Sequence, residues 1–477
     1  MQPNRFLRSF ATRKCLIRQV GVVFQLVSSL FAVPQLCPLW ARDVRAEVEN
    51  HNAFILDLAE RDRKLKAMCL TPFTFYRATA YLFYKDIAEH RLQIPAEWDS
   101  RSGLRTWISG DFHLQNVGFE DPAGGQYCFE LNDFDEACEA PFYWDLIRLV
   151  ASVYLAKDSK NWPLETKDDK KEQMGFSLSD TGADEVTTRF LKTYQETVAA
   201  NTIASLTAQE LGEPTDRGKA KATEGFVKDQ LSPKEKKVQE KCDEFWKKET
   251  GGTKVRFNME DKERFAELDH GLQTQLKKHW NEYVQTVRKD FATTVRPDYF
   301  KPIHMAQRLG SGLGSLGVVK VYILVEGASE TAADDNIVLE AKASGVPAEV
   351  GAGALPASLT IGEDGKRVSD ATRAMTARTD NHEGWFNTNG VSYHVTRISP
   401  LADGVKLKDF EKREQLEDYL QWSAVALANA HCRSNPHFAA EALSAFDDFR
   451  NVKETILNIG RAYARQVEAD YHEFCQR

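Results

Sequence analysis

The chain lacks the marks of several protein classes. Its eight cysteines, Cys15, Cys37, Cys69, Cys128, Cys138, Cys242, Cys432 and Cys475, include no C-x-x-C pair and no zinc spacing, so they read as free thiols and favour a reducing compartment, cytoplasmic or mitochondrial. Positive charge is not in excess. With 62 Lys and Arg against 70 Asp and Glu, the net charge is −8 and the pI about 5.9, which argues against broad nucleic-acid binding. There is no G-x-S-x-G, no H-E-x-x-H and no cysteine with an obvious histidine partner, so the common hydrolase sets are absent. Beyond residue 41 no apolar run is long enough to span a bilayer. What remains is an ordinary globular composition, 42% hydrophobic and 28% charged over 477 residues, with length for two or three lobes.

The first 41 residues have no acid, yet carry Arg5, Arg8, Arg13, Lys14 and Arg18 ahead of an apolar run from Val20 to Val33 that ends at Pro34. A basic start, a short apolar region and small residues at Ala32 and Ala41 suit a secretory signal. The Arg-rich, acid-free start equally suits a mitochondrial presequence, and a packed N-terminal helix is the third reading.

Chemistry concentrates between residues 107 and 146. Two short apolar runs, Trp107-Ile108 and Tyr127-Cys128-Phe129, each lead into a polar cluster, Gly110-Asp111-Phe112-His113 through Asn116 and Asn132-Asp133-Phe134-Asp135. A single such cluster is commonly a turn; the combination points to a site. Asp111 and Asn116 are separated by four residues, the interval at which protein kinases place the catalytic aspartate and a metal-binding asparagine. Asp133 opens an Asp-Phe-Asp run where kinases carry the Asp-Phe-Gly metal ligand, and Asp135 adds a second carboxylate. Oxygen donors suit Mg²⁺, and phosphoryl transfer needs positioning and cations more than covalent chemistry.

The stretch resembles the DUF2252 family, whose signature runs G-D-x-H-x-x-N, then N-D-F-D-E-A and W-D-L; here these are Gly110 to Asn116, Asn132 to Ala137 and Trp144 to Leu146. It is also similar to aminoglycoside phosphotransferase-type small-molecule kinases, with a G-D-x-x-x-x-N loop ahead of an I-D-x-x-D-A strand and a later Y-D-L. The resemblance implies Asp111 as base, Asn116 and Asp133 as metal ligands and Asp145 as a structural acid. His113 takes a supporting role. Thr71-Pro72-Phe73-Thr74-Phe75-Tyr76-Arg77 is similar to the family's S-P-F-x-F-Y-R-G, and His431-Cys432-Arg433-Ser434 to its H-A-R-S. Arg77 then either contacts phosphate or bridges elements through its stem and a carboxylate. For His431, functional and packing readings are evenly matched.

Elsewhere the pattern is mostly helical: Val44 to Leu92, with a helix start at Thr71-Pro72, a buried helix from Leu146 to Leu155, residues 175 to 200, and Tyr419 to His431. Residues 205 to 290 are rich in Lys and Glu, which reads as solvated helices and connectors, with a substrate-recognition insert as the alternative.

Arg308 to Ser344 is different. Gly312, Gly314 and Gly317 give G-x-G-x-x-G, and Val318 to Val325 after it is β-branched and aromatic. A dinucleotide fingerprint would open a helix; here a strand follows, as in the kinase glycine loop. The strand Ile337 to Ala343 then carries Lys342, comparable to the lysine that holds the α- and β-phosphates. Arg367 to Arg378 reads as the small-lobe helix, Asp370 as the acid that pairs Lys342, with Glu349 the competitor, and Ser392 to Ile398 as a strand leading to the hinge.

The expected fold is therefore α+β, a two-lobed protein-kinase-like fold, circularly permuted so that the catalytic loop precedes the Gly-rich small lobe. Residues 1–41 are a targeting or N-terminal segment, 42–204 large lobe with the catalytic and metal loops, 205–295 a charged insert, 296–415 small lobe, and 416–477 helices completing the large lobe. The expected activity is transfer of the γ-phosphoryl group of ATP, with Mg²⁺, to a hydroxyl of an unknown small-molecule acceptor, with no nucleic acid among the expected partners. Gly312, Gly314, Ser315 and Gly317 cover the phosphates and Lys342 engages them. The same residues allow a nucleotide-binding pseudokinase or scaffold, or a kinase-like AMP transferase.

Overall fold

The computed structural model describes residues 40–99, 101–121, 128–164, 169–203, 225–230, 237–310, 317–329, 335–359, 362–446 and 449–475. Ala41–Arg477 forms a compact unit. The described residues are 53% helical and 14% strand, so the α+β expectation holds. Among the described residues no helix is long and apolar enough to cross a membrane.

Four helices come first, α1 (Val44–His51), α2 (Leu58–Met68), α3 (Pro72–Ala78) and α4 (Ala80–Ala88). Thr71 starts α3 as expected. Its hydroxyl accepts from Thr74 N at 3.0 Å, and Thr74 Oγ1 accepts from Thr71 N at 2.8 Å, a reciprocal cap with Pro72 in the first turn. Short antiparallel strands follow: β1 (Arg105–Ile108) pairs with β4 (Cys138–Pro141), and β2 (Val117–Glu120) with β3 (Cys128–Leu131). Trp107-Ile108 thus ends β1 and Cys128-Phe129 opens β3, and a polar loop follows each strand; Tyr127 lies outside the described residues. Every residue of α5 (Tyr143–Ala156) is buried, including Asp145 and Arg148, which suits a helix that is otherwise apolar nearly all round.

After α6 (Asp180–Ile203) and α7 (Val238–Thr250) the chain builds a six-stranded antiparallel sheet. Its strands are β5 (Phe265–Ala266), β6 (Pro302–Arg308), β7 (Lys320–Val325), β8 (Ile337–Ser344), β9 (Gly384–Thr388) and β10 (Val391–Arg397), in the order β5-β6-β7-β8-β10-β9. Helix α8 (His270–Thr286) precedes β6, and α9 (Asp364–Met375) lies between β8 and β9. One face of the sheet, with Val321, Ile323, Leu339, Ala341, Tyr393 and Val395, forms a core with Leu276, Trp280 and Tyr283 of α8. On the other face Tyr322, Leu324 and Val338 pack against Phe257, Met259 and Phe265.

That packing corrects the reading of 205 to 290 as solvated connectors. The described part from 237 onward covers both faces of the sheet, because Leu276, Trp280 and Tyr283 recur at helical spacing on one side of an otherwise charged helix. Charge density hid the apolar stripe.

The chain then returns through β11 (Asp403–Gly404), which pairs with β2, to α10 (Arg413–Ser434), α11 (Phe438–Ala445) and α12 (Phe449–Cys475). Helix α10 meets α6 through Tyr194 and His431, 2.8 Å apart, and Asn201 and Asn429, 3.1 Å apart. Helix α12 crosses α5 where Gly460 meets Val150; a Cβ there would lie 2.5 Å from Val150 Cγ1. Beginning and end of the unit meet as well. Arg45 Nη2 donates to Phe474 O at 3.2 Å, and Tyr471 OH to Cys69 O at 3.1 Å.

Cys69 and Cys475 form a disulfide, with Cα atoms 5.4 Å apart. The free-thiol reading of these two is therefore corrected, and with it a premise of the reducing-compartment expectation. Sequence spacing cannot show a pair 406 residues apart; the return of α12 creates it. Cys138, Cys242 and Cys432 are free, and Cys15 and Cys37 lie outside the described residues, as does the N-terminal run. Cys475→Ser should cost about 2–4 kcal/mol in urea unfolding under non-reducing conditions, with faster amide exchange in the last turns of α12. Unchanged unfolding would assign the closure to helix packing alone.

Candidate functional site

Strand β1 leads into Ser109 and Gly110, whose backbone N–H groups both donate to Asp145, at 2.8 and 3.1 Å. Asp145 lies in the first turn of α5, fully buried, with His431 Nε2 3.3 Å away. Such charge-assisted bonds fix the loop's entry, which is the structural role the resemblance implied. His431, buried between Asp145 and Tyr194, is part of this support. Gly110 has φ +78°, and a Cβ there would come within 2.3 Å of Glu136 O and 2.5 Å of Glu349 Oε1. Only glycine fits so close a passage between the two loops.

Asp111 comes next. Arg148 of α5 donates to its Oδ1, while the guanidinium, fully buried, lies over the Tyr76 ring at 4.5 Å and the Phe83 ring at 5.1 Å. Burial raises the Asp111 carboxyl to about 7 despite that cation. Asn116 Nδ2 donates to the Asp111 carbonyl at 2.6 Å. His113 Nδ1 accepts from Gln115 N at 3.1 Å, which puts its proton on Nε2, 3.8 Å from Asp111 Oδ2. Burial holds this imidazole neutral. Its role is to support the loop.

The second loop leaves β3. Asp135 N donates to Asp133 Oδ1 at 3.2 Å. Asp133 keeps contact with solvent but is densely surrounded by protein; that desolvation, and then the Asp135 charge, push its carboxyl up. Asp135 goes the other way. Burial opposes its ionisation, but Lys342 Nζ donates to Oδ2 and holds the carboxyl below its usual range, while the lysine is raised. Arg367 of α9 caps the same loop, donating to the carbonyls of Ala137 at 2.5 Å, Asp135 at 2.8 Å and Gly345 at 3.1 Å. Glu136 Oε2 accepts from Ala348 N at 2.6 Å.

Asp135 and Lys342 thus join segments 207 residues apart in sequence. The partner of Lys342 is neither expected acid. Asp370 pairs with Lys366 one turn earlier in α9, at 2.7 Å, and Glu349 is buried against Gly110. Aspartate on α9 is held by its own helix; the reach to Lys342 is made by the loop. Any cation at Asp135 would share it with the lysine. Among the described residues no group of three or more His, Cys, Asp or Glu is gathered to hold a metal. Gly312, Gly314 and Ser315 lie outside the described residues. Gly317, at φ +85°, closes that stretch against Ile55. Arg77 takes the bridging alternative, 3.8 Å from Glu172 and over the Phe73 ring at 5.9 Å.

Sequence reading missed Arg148, Arg367 and Lys320. Arg148 had a signal, being the one cation in a 14-residue helix that is otherwise apolar but for Asp145 and Ser152. The class so defined is an α+β protein with two acidic loops, one held by a buried helix and the other bound to a lysine-bearing sheet. The chain belongs to the DUF2252 family, described as an uncharacterized protein conserved in bacteria, whose family model matches residues 59–477. No curated protein and no solved structure matches it.

Glu349 offers a test of the site's electrostatics. Burial, with Glu136 nearby, raises its carboxyl to about 8. A raised acid contributes stability that is present below its unfolded value of about 4.3 and lost as pH climbs through the folded value. Glu349→Gln should therefore gain on the wild type in urea melts as pH rises from 4.5 to 8, by at most about 1.4 kcal/mol per pH unit. Parallel profiles would mean that Glu349 is ionised in the folded protein.

Proposed function

We propose that this protein is an ATP- and Mg²⁺-dependent phosphotransferase acting on a hydroxyl of a small acceptor. The observation that carries the reading is the contact of Lys342 with Asp135, two residues after Asp133 and in a loop packed on the Asp111 loop. It brings into one site the residue types that phosphoryl transfer uses. The order of elements supports it further: strand, glycine stretch, strand, lysine strand, helix and two more strands is how a kinase small lobe is assembled. The proposed fold is correspondingly kinase-like and permuted, with the helices after the sheet packed on those before it.

In this reading Asp111 accepts the acceptor's proton at Oδ2, because Oδ1 is engaged by Arg148. A carboxyl raised to about 7 is matched to proton transfer near neutrality. The acceptor oxygen bonds to the γ-phosphorus as the bond to the β-phosphate oxygen breaks, and ADP leaves. Lys342 steadies the phosphates through its charge. The donor set fits a hard cation: Asp133 carries crowded negative charge, and Asn116, its amide nitrogen spent on the Asp111 carbonyl, has its oxygen to offer. Mg²⁺ bound there would neutralise charge on the transferring phosphate.

Calorimetry on the full-length protein tests this. Mg²⁺-dependent ATP binding is expected, weakened about tenfold or more in Asp133→Asn and Lys342→Ala, while Asp111→Asn binds ATP but loses the slow hydrolysis. Hydrolysis unimpaired in Asp111→Asn would favour a role without catalysis by this residue. No binding with any divalent cation would end the nucleotide reading, and AMP rather than phosphate on an acceptor would end the phosphotransferase one.

A further inference from the structure

Lys320 is the first residue of β7, directly opposite Lys342 on β8, and Lys342 is directly opposite His394 on β10. Residues directly opposed in antiparallel strands point to the same face of a sheet. The three therefore form one row across the sheet, on the face away from α8. Even-numbered positions of β7 and β8 share that face, and the odd-numbered Val321, Ile323, Leu339 and Ala341 fill the core on the other side. All three side chains are largely buried, Lys320 most of all at 7% exposed.

Three basic side chains in direct opposition repel one another, and like charges placed so are destabilising. Two of them are answered by acids. Lys342 has Asp135, and His394 Nε2 lies 2.5 Å from Glu383 Oε1, itself buried. Lys320 is answered poorly, since its nearest acid is Glu340 at 3.9 Å, beyond hydrogen-bond distance. Burial depresses this ammonium. A desolvated cation without a hydrogen-bonded acid is a group prepared for an anion.

Its place says which anion. Lys320 follows Gly317 by three residues, at the exit of the glycine stretch, and stands on the strand beyond Lys342 as counted from β10. We propose that Lys320 is a second phosphate-binding lysine, which holds the terminal phosphate of the nucleotide beside the phosphates held by Lys342. The inference rests on the nucleotide reading above and goes further: the row measures the length of the polyphosphate chain.

The test is calorimetric binding of Mg²⁺-ATP and Mg²⁺-ADP to the full-length wild type, Lys320→Met, Lys320→Arg and Lys342→Met, with thermal melts to establish folding. Lys320→Met should weaken ATP about tenfold or more and ADP by about twofold or less, so that the preference for ATP collapses. Lys320→Arg keeps the charge and should hold ATP within about threefold of the wild type. Lys342→Met should weaken both nucleotides. Equal loss of ATP and ADP in Lys320→Met, or no loss of either, overturns this inference while leaving the nucleotide reading intact if Lys342→Met is still impaired. A wild type that binds neither nucleotide overturns both.

Discussion

The loop from Asp133 to Ala137 crowds three carboxylates among protein atoms, with Asp133 exposed and Asp135 and Glu136 half-buried, and the rest of the site is arranged around neutralising that charge. A carboxylate buried without partners costs several kcal/mol. Here the partners come from the sheet and from α9: Lys342 on Asp135, Arg367 on two carbonyls of the loop, and the Ala348 N–H on Glu136. None of these is close in sequence. The loop cannot take its conformation until the sheet is built and docked, so the site is a product of the whole fold rather than of either half.

The Asp111 loop is held differently. Its backbone is pinned by Asp145 and its carboxylate by Arg148, both from one helix, so a single rigid element sets position and charge together. Gly110 allows the two loops to touch, because any side chain there would strike the Glu136 carbonyl. The result is a carboxyl that stays near the point of half-protonation at neutral pH beside others pushed up or down by their own partners. Environments that separate the behaviour of like groups are what acid–base chemistry needs.

Chain order is accommodated by the way the unit closes. Residues near Arg45 and Cys69 meet the last turn of α12 through hydrogen bonds and a disulfide. With the ends adjacent, the sheet can stand in the middle of the sequence while the helices on either side of it pack together.

Local features were legible from the sequence alone, because they depend on neighbours a few residues away. The Thr71-Pro72 cap, the strand ends before Asp111 and Asp133, the strand carrying Lys342 and the buried helix after Trp144 all follow from propensity and periodicity. The pairings were not. Asp135 rather than Asp370 meets Lys342, Arg148 takes Asp111, Lys320 lines up with Lys342 and His394, Leu276 and Trp280 turn a charged segment into a sheet cover, and Cys69 finds Cys475. Each depends on register or on helix docking between segments far apart in the chain, and no local pattern encodes which buried charge will lie within reach of which other. The sequence by itself determined the residue types of the candidate site; only the tertiary structure decided their partners.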